Sequence, residues 1–141
     1  MLQHFERSQK FKADPESILA LINNFEAYKN FLPGCLESRK LSEDSKFIIR
    51  GLLVFGFLNK TYEFESENQT DGYHVQIDQV SGPFSQFSAS WALEPLDCEI
   101  TSVLFKASFK IPFFLKIFLR QEVIDSMGDR FLNAFAEQLY K

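Results

Sequence analysis

Residues 111–139 read IPFFLKIFLRQEVIDSMGDRFLNAFAEQL, and this stretch predicts a long helix that closes the chain. With successive residues placed at about 100° steps and Ile117 at the centre of one side, the apolar positions of the later turns gather on that side. The side consists of Phe113, Phe114, Ile117, Gln121, Ile124, Gly128, Phe131, Phe135 and Leu139. The pattern is typical of a helix that packs one side against a core.

The first turns of this predicted helix carry more apolar residues than one buried side requires. Leu115, Phe118 and Leu119 fall on the opposite side, where the later turns carry Ser126, Asp129, Arg130, Asn133 and Glu137. An uncovered apolar surface predicts contact with a lipid, a hydrophobic ligand or a partner protein, which includes a second copy of this chain. The alternative is that a loop or strand of the chain covers these side chains.

Length and composition predict a single globular domain over residues 1–141. Apolar residues make up 45% of the chain, and its 17 Phe greatly outnumber its 4 Tyr and 1 Trp. Phenyl rings without polar groups can fill a core or line a cavity, and composition alone leaves both open.

The charge of the chain bears on its partners. A net charge of −4 argues against a general nucleic-acid binder, because phosphate binding requires a concentrated positive field. The nearest basic cluster brackets the apolar run and consists of Lys106, Lys110, Lys116 and Arg120. This cluster suits an anionic membrane surface, although exposed lysines are also common without any partner.

Other features bear on location. Cys35 and Cys98 lack the spacing of a metal site, and the amino terminus lacks a charged and then apolar signal. The longest apolar run is shorter than the roughly 20 residues that a spanning helix needs. We therefore expect reduced cysteines in a cytoplasmic protein, with at most peripheral contact at the inner face of a membrane.

Turn residues and periodicity predict the remaining elements. Residues 2–11 form a first strand, Asp14-Pro15-Glu16 begins a helix, and Phe31-Leu32-Pro33-Gly34 ends the helical region. From about Leu36 to Ile111 the period changes to two, which predicts a six-stranded antiparallel meander. Asp71-Gly72 predicts one of the turns between the strands. The inward residues of four strands are Phe47, Ile49, Gly51, Leu53 and Phe55, then Tyr62 and Phe64, then Phe87, Ala89, Trp91 and Leu93, and last Val103, Phe105, Ala107 and Phe109.

Candidate catalytic groups are few. His4 and His74 lie in different strands without a nucleophile beside them, and two distant histidines do not make a metal site. Glu63, Glu65 and Glu67 share one strand face, which favours a solvated surface. The sequence therefore predicts no catalytic residue, no metal site and no required cofactor.

Several strings carry a family resemblance. Tyr28-Lys-Asn-Phe-Leu-Pro-Gly-Cys35 is similar to a Tyr-Pro-x-Phe-Leu-Pro-x-Cys motif, although Lys29 replaces its first Pro. Gly82-Pro-Phe84, followed by Trp91 and Pro95, is similar to a Gly-Pro-Phe to Trp signature. Both belong to a branch of the START-like proteins that contains the coenzyme Q-binding proteins and the ribosome association toxins, and that was formerly grouped with the polyketide cyclases.

This resemblance implies an α+β, helix-grip (START-like) fold. A curved antiparallel sheet of about seven strands would wrap on the long C-terminal helix, with one or two short helices after the first strand. The implied function is non-catalytic binding or chaperoning of a quinone or other lipid in a hydrophobic cavity, in support of respiratory electron transport. The alternatives are binding to the large ribosomal subunit with interference in subunit association, and a weaker one, a polyketide cyclase- or aromatase-like enzyme.

The inward faces of the sheet and the long helix supply the predicted ligand-binding residues. They are Phe31, Leu32, Phe47, Ile49, Leu53, Phe64, Trp91, Phe105, Ile117, Ile124, Met127 and Phe131. The predicted membrane or partner contact lies at the mouth of the cavity and consists of Phe57, Leu58, Leu115, Phe118 and Leu119.

Overall fold

A computed structural model describes residues 2–140. Its elements are β1 (Gln3–Phe11), α1 (Pro15–Ile22), a 3-10 turn (Phe25–Ala27), α2 (Tyr28–Phe31), β2 (Cys35–Ser45), β3 (Ile48–Phe57), β4 (Lys60–Asp71), β5 (His74–Ser81), β6 (Gln86–Pro95), β7 (Thr101–Lys110), a second 3-10 turn (Phe113–Leu115) and α3 (Gln121–Leu139). The predicted order of strand, short helices, six strands and long helix is confirmed.

The strands form one curved antiparallel sheet. Its order is β1-β7-β6-β5-β4-β3-β2, so that six consecutive strands make a meander and β1 pairs with the last of them. In this register Phe5 of β1 lies opposite Ala107 of β7, and Ala107 lies opposite Ala89 of β6. The predicted helix-grip fold is confirmed, with the short helices and α3 on the concave face of the sheet.

The start of α1 follows from three residues in sequence. Asp14 precedes the helix, and its carboxylate accepts hydrogen bonds from the Ser17 hydroxyl at 2.6 Å and from the Ser17 backbone N–H at 3.1 Å. Pro15 occupies the first helical position, where no backbone donor is needed. The bonds from the Ser17 side chain and backbone lower the pKa of the Asp14 carboxyl.

Contacts with β1 hold α3 against the sheet. Gly128 is a point of close approach, because a Cβ added there would lie 2.3 Å from ring atoms of Phe5. Beside it, the Arg7 guanidinium donates to the Asp129 carboxylate, with 2.9 Å between Nε and Oδ1. The central glycine of the helix therefore serves close packing.

The prediction that the last helix begins at Ile111 is wrong. Residues 111–120 form a 3-10 turn and irregular backbone, and α3 begins only at Gln121 after Arg120 in extended conformation. The run is apolar on every side, so a regular helix would bury one side and leave the other uncovered. The irregular path instead buries Ile111 and Leu115 and leaves Phe113, Phe114 and Ile117 exposed.

Strand β3 also begins later than predicted. Phe47 lies in the turn between β2 and β3, and the alternation of buried residues starts at Ile49. The Ser45 hydroxyl accepts a hydrogen bond from the Phe47 backbone N–H at 3.1 Å, which stabilises the turn.

Membrane spanning can be checked on the helices directly. Among residues 2–140, no helix combines the length and the hydropathy needed to cross a bilayer.

Candidate functional site

Aromatic rings fill the space between α3 and the middle of the sheet. Phe135 of α3 lies 5.1 Å from Trp91 of β6 and 5.1 Å from Phe31 of α2, measured between ring centroids. Phe131 and Phe105 lie 5.3 Å apart in the same group. We call this group, with Tyr28, the α3 cluster. Neighbouring rings of the α3 cluster contact one another, so the cluster is part of the hydrophobic core.

A second group of rings lies on the concave face toward one end of the sheet. Phe87 of β6 lies 5.1 Å from Phe64 of β4 and 5.3 Å from Phe84, which lies 5.5 Å from Phe109 of β7. We call these four residues the ring floor. Phe64 and Phe109 are buried, whereas Phe84 and Phe87 are only partly buried. Part of the ring floor therefore remains open to solvent.

Hydrogen bonds fix the loop that carries Phe84. The Gln79 side chain donates to the Phe84 carbonyl at 2.9 Å and accepts from the Phe84 backbone N–H at 3.3 Å. The Ser85 backbone N–H donates to the Lys110 carbonyl at 2.9 Å. These bonds hold the β5–β6 loop beside the end of β7 and thereby position one edge of the ring floor.

Residues 111–120 leave the same end of β7, and we call them the apolar loop. Ile111 and Leu115 are buried, and Leu119 is partly buried against the core. Phe113, Phe114, Ile117 and Phe118 are exposed. The ring floor and the exposed rings of the loop are thus brought to one end of the sheet, joined through Phe109 and Lys110.

Most of the predicted lining residues do face the concave side. Leu32, Ile49, Leu53, Phe64, Trp91, Phe105 and Ile124 are buried, and Phe31 and Phe131 are partly buried against them. Only Phe64 among these belongs to the ring floor. The others pack into the core, and whether any of them contacts a ligand stays a prediction.

Three predicted lining residues lie elsewhere. Phe47, Ile117 and Met127 have exposed fractions of 50%, 68% and 46%, so the prediction that they face the interior is wrong. Phe47 is in a turn and Ile117 is in the apolar loop. Met127 is an exposed residue of α3 at the edge of its buried side.

The predicted contact surface is also changed. Leu115 is buried, and Phe57 and Leu119 are partly buried against the core, so the prediction that Leu115 faces outward is wrong. Leu58 and Phe118 are exposed as predicted. Phe113 and Phe114, which periodicity assigned to the core, are among the most exposed side chains described.

Two grooves occur on the outer surface of the sheet. One, of about 300 Å³, lies on the convex face of β2, β3 and β4 and is lined by Glu37, Ser38, Arg39, Leu52, Val54 and Glu63. The other, of about 410 Å³, lies at the β3–β4 hairpin around Phe57 and Leu58. Neither includes a residue of the ring floor, which is an open apolar surface on the opposite face.

The polar side chains buried on the concave face are neutral. Asn68 of β4 donates through Nδ2 to the Asn23 Oδ1 at 3.1 Å, and its own Oδ1 has no partner among residues 2–140. Ser66, two positions along the same strand, is also buried. Neutral amide and hydroxyl groups can bind a ligand but are weak acids and bases.

Titratable groups do not gather at the ring floor. His4 bonds to Ser108 at 3.0 Å in an exposed position, and His74 is exposed at the start of β5. Burial raises the pKa of the Cys35 thiol and of the Tyr28 hydroxyl, whose proton is donated to the Ile22 carbonyl. Within the described chain, no group of three or more His, Cys, Asp and Glu side chains could hold a metal ion.

Comparison with known families and structures gives a consistent result. The sequence profile of the family described as "Polyketide cyclase / dehydrase and lipid transport" matches residues 11–136. The START superfamily protein from Mycobacterium smegmatis has a similar structure, with a TM-score of 0.84 at 12% identity over 97% of each chain. The Zhui aromatase/cyclase from Streptomyces sp. R1128 is similar at a TM-score of 0.84 and 16% identity, over 99% of this chain and 94% of that one.

One group of relatives is similar in sequence along two thirds or more of the chain. The "Ribosome association toxin RatA" of Vibrio cholerae is 26% identical over 144 residues, which is 99% of both proteins. That of Escherichia coli (strain K12) is 30% identical over 97 residues, 67% of this chain and 60% of that protein. The resemblance found in the sequence motifs is therefore confirmed for the START-like fold and for its RatA branch.

Proposed function

The chain belongs to the polyketide cyclase / dehydrase and lipid transport family, and we propose that it binds a lipophilic small molecule, a quinone or another lipid, without transforming it. The proposed site is the ring floor, and we propose that residues 1–141 form the single domain that contains it. We place the protein in the cytoplasm, where it would carry or shield such a molecule in support of electron transport.

The partial exposure of Phe84 and Phe87 carries this proposal. Both rings lie on the concave face beside Phe64 and Phe109, and the α3 cluster fills only the neighbouring part of that face. Completing the burial of a phenyl side chain would stabilise the complex of protein and ligand by up to roughly 1.5–3 kcal/mol. A flat apolar ligand laid on the two rings would gain this burial.

The surroundings of the ring floor favour binding over catalysis. A cyclase or aromatase must move protons, which requires side chains whose pKa values suit that task. The floor is built from four hydrocarbon rings, and the buried polar residues nearest along β4 are Ser66 and Asn68, both neutral. The named aromatase/cyclase shares the fold, and at 16% identity the likeness extends to the fold alone.

A pair of substitutions tests the ring floor. Phe84→Ser with Phe87→Ser removes the two partly exposed rings and leaves Phe64 and Phe109 in place. We expect the affinity for a short-chain ubiquinone, measured by isothermal titration, to fall by roughly tenfold or more, because two apolar contacts are lost. Phe47→Ser is the matched control, since Phe47 is an exposed ring in a distant turn.

The proposal fails if the double variant, with an unchanged circular dichroism spectrum, binds the quinone as tightly as the parent chain. It also fails if the parent chain shows no heat of binding and no rise in melting temperature with any quinone or fatty acid tested. A ligand that binds the folded state must raise the melting temperature with its concentration.

A second candidate function is favoured by the names of the relatives. Similarity to the ribosome association toxin RatA of Vibrio cholerae along 99% of the chain supports binding to the ribosome, for which the large subunit is the candidate partner. The basic residues Lys110, Lys116 and Arg120 are exposed and could contact phosphate groups. Co-sedimentation with large subunits that weakens steeply as salt rises would favour this candidate, and its absence at low salt would exclude it.

A further inference from the structure

The apolar loop carries the most exposed aromatic side chains of the described chain. The exposed fractions are 89% for Phe113, 65% for Phe114, 68% for Ile117 and 49% for Phe118. Neighbouring large apolar residues exposed in this way are rare on isolated soluble proteins and mark a contact surface. We therefore expect the apolar loop to bind a partner with an apolar surface.

The charged residues in and beside the apolar loop are all positive. From Ile100 to Gln121 the chain contains Lys106, Lys110, Lys116 and Arg120 and no Asp or Glu, although the whole chain has a net charge of −4. All four cations are exposed, and within residues 2–140 they take part in none of the ion pairs. The partner of the loop should therefore be anionic as well as apolar.

Local hydrogen bonds pair part of the backbone of the apolar loop. The Leu115 N–H donates to the Pro112 carbonyl at 3.0 Å, and the Phe118 and Leu119 N–H groups donate to the Leu115 carbonyl at 3.0 and 3.1 Å. The Lys116 N–H donates to the Phe113 carbonyl at 3.2 Å. Backbone donors left unpaired are costly in lipid, and these turns pair four of the donors of the loop.

We propose that the apolar loop docks the protein on an anionic lipid bilayer. Phe113, Phe114, Ile117 and Phe118 would enter the boundary between head groups and acyl chains, and Lys110, Lys116 and Arg120 would lie at the level of the head-group phosphates. The inference rests on the proposed function in one respect, because the bilayer would be the source and the destination of the lipophilic molecule.

Two other partners fit the loop less well. A symmetric dimer through this surface would bring the cations of both copies together, and like charges disfavour that contact. RNA would match the cations, but the exposed Ile117 side chain gains little from nucleotides. A lipid surface uses both the apolar and the basic residues.

The placement of the loop connects docking to the ring floor. Phe109 of the ring floor is followed by Lys110, the last residue of β7, and then by Ile111, which begins the apolar loop. The bond from the Ser85 N–H to the Lys110 carbonyl holds the β5–β6 loop, which carries Phe84, at the same place. A protein docked through Phe113 and Phe114 would therefore bring the end of the sheet that carries the ring floor to the membrane. A lipophilic molecule could then pass between the two over a short path.

Vesicle co-sedimentation tests the proposal. The full chain is mixed with phosphatidylcholine vesicles with or without phosphatidylglycerol, and the bound fraction is measured. We expect binding to the anionic vesicles, and a loss of roughly tenfold or more in the partition coefficient for Phe113→Ser with Phe114→Ser. Phe47→Ser is the matched control and should bind as the parent chain does.

A charge variant separates the two components of the surface. Lys116→Gln with Arg120→Gln should weaken binding to anionic vesicles by about tenfold or more and leave binding to neutral vesicles unchanged. Equal partition of the parent chain and the Phe113 and Phe114 double variant would overturn the proposal. The proposal would also be overturned if the Phe113 and Phe114 double variant kept its vesicle binding but lost co-sedimentation with large subunits or lost self-association. The loop would then bind another partner.

The outcome is distinguishable from a failure of the proposed function. Phe113 and Phe114 are outside the ring floor, so the affinity of their double variant for a short-chain ubiquinone in solution should equal that of the parent chain. If the double variant kept the quinone affinity and also the vesicle binding of the parent chain, only the docking proposal would be overturned. If the parent chain bound vesicles but had no affinity for the quinone, only the proposal for the ring floor would be overturned.

Discussion

Phe135→Ala should lower the free energy of unfolding by about 3–5 kcal/mol, the usual effect of removing a fully buried phenyl ring. Phe135 has no exposed surface, and its ring centroid lies 5.6 Å or less from those of Tyr28, Phe31, Trp91 and Phe131. It therefore joins α3 to α2 and to β6. Its removal leaves a cavity that three different elements would have to fill by moving together.

Phe113→Ala is the matched control for this prediction. The same atoms are removed from a side chain that is almost fully exposed, so the free energy of unfolding should change by less than about 0.5 kcal/mol. Urea denaturation of the two variants gives both values. Equal effects, or a Phe135→Ala variant as stable as the parent chain, would contradict the packing of α3 on the sheet.

Gly51→Ala should also destabilise the protein, by about 1–3 kcal/mol, although alanine is usually the better residue in a strand. The added Cβ would lie 2.1 Å from Cδ1 of Phe25 and 2.4 Å from its Cε1. Phe25 is buried and lies 5.5 Å from Tyr28 between ring centroids, so its ring has little freedom to move away. Gly51 thus lets the 3-10 turn before α2 pack on β3.

A double-mutant cycle checks the cause. In a Phe25→Ala background the obstructing ring is gone, and Gly51→Ala should then be neutral or stabilising by roughly 0.5–1 kcal/mol. Thermal or urea unfolding of the four proteins gives the coupling energy. A Gly51→Ala effect of the same size in both backgrounds would show that the contact with Phe25 is not its origin.

Much of the fold could be predicted from the sequence because its signals are local. Period-two alternation located β4, β6 and β7, and the Asp14-Pro15 pair located the start of α1 through the bonds that Asp14 accepts from Ser17. Turn residues such as Asp71-Gly72 separated the strands. Each of these features depends on a few consecutive residues.

The path of residues 111–120 could not be predicted in the same way. Periodicity assigns a side to each residue only if the backbone is helical, and a run that is apolar all round fits a helix in any orientation. The burial of Leu115 and the exposure of Phe113 depend on where the end of β7 meets the core. That meeting point is a property of the assembled sheet.

The ring floor was only partly accessible to sequence reasoning. The Gly82-Pro-Phe84 signature drew attention to Phe84, and alternation placed Phe87 and Phe109 on the inward face of their strands. Their meeting with Phe64 depends on the register of β6 with β7, which pairs Phe87 with Phe109, and on the β5–β6 loop. No spacing along the chain contains that information.

The central claim is that the ring floor holds a lipophilic molecule, and the most direct measurement is extraction of the protein followed by mass spectrometry. The full chain is purified without detergent, extracted with organic solvent, and compared with the Phe84→Ser and Phe87→Ser double variant. We expect a quinone or another lipid in stoichiometric amount from the parent chain and its loss from the variant. An extract of the parent chain without any lipophilic molecule, or the same molecule in equal amount from both proteins, would contradict the claim.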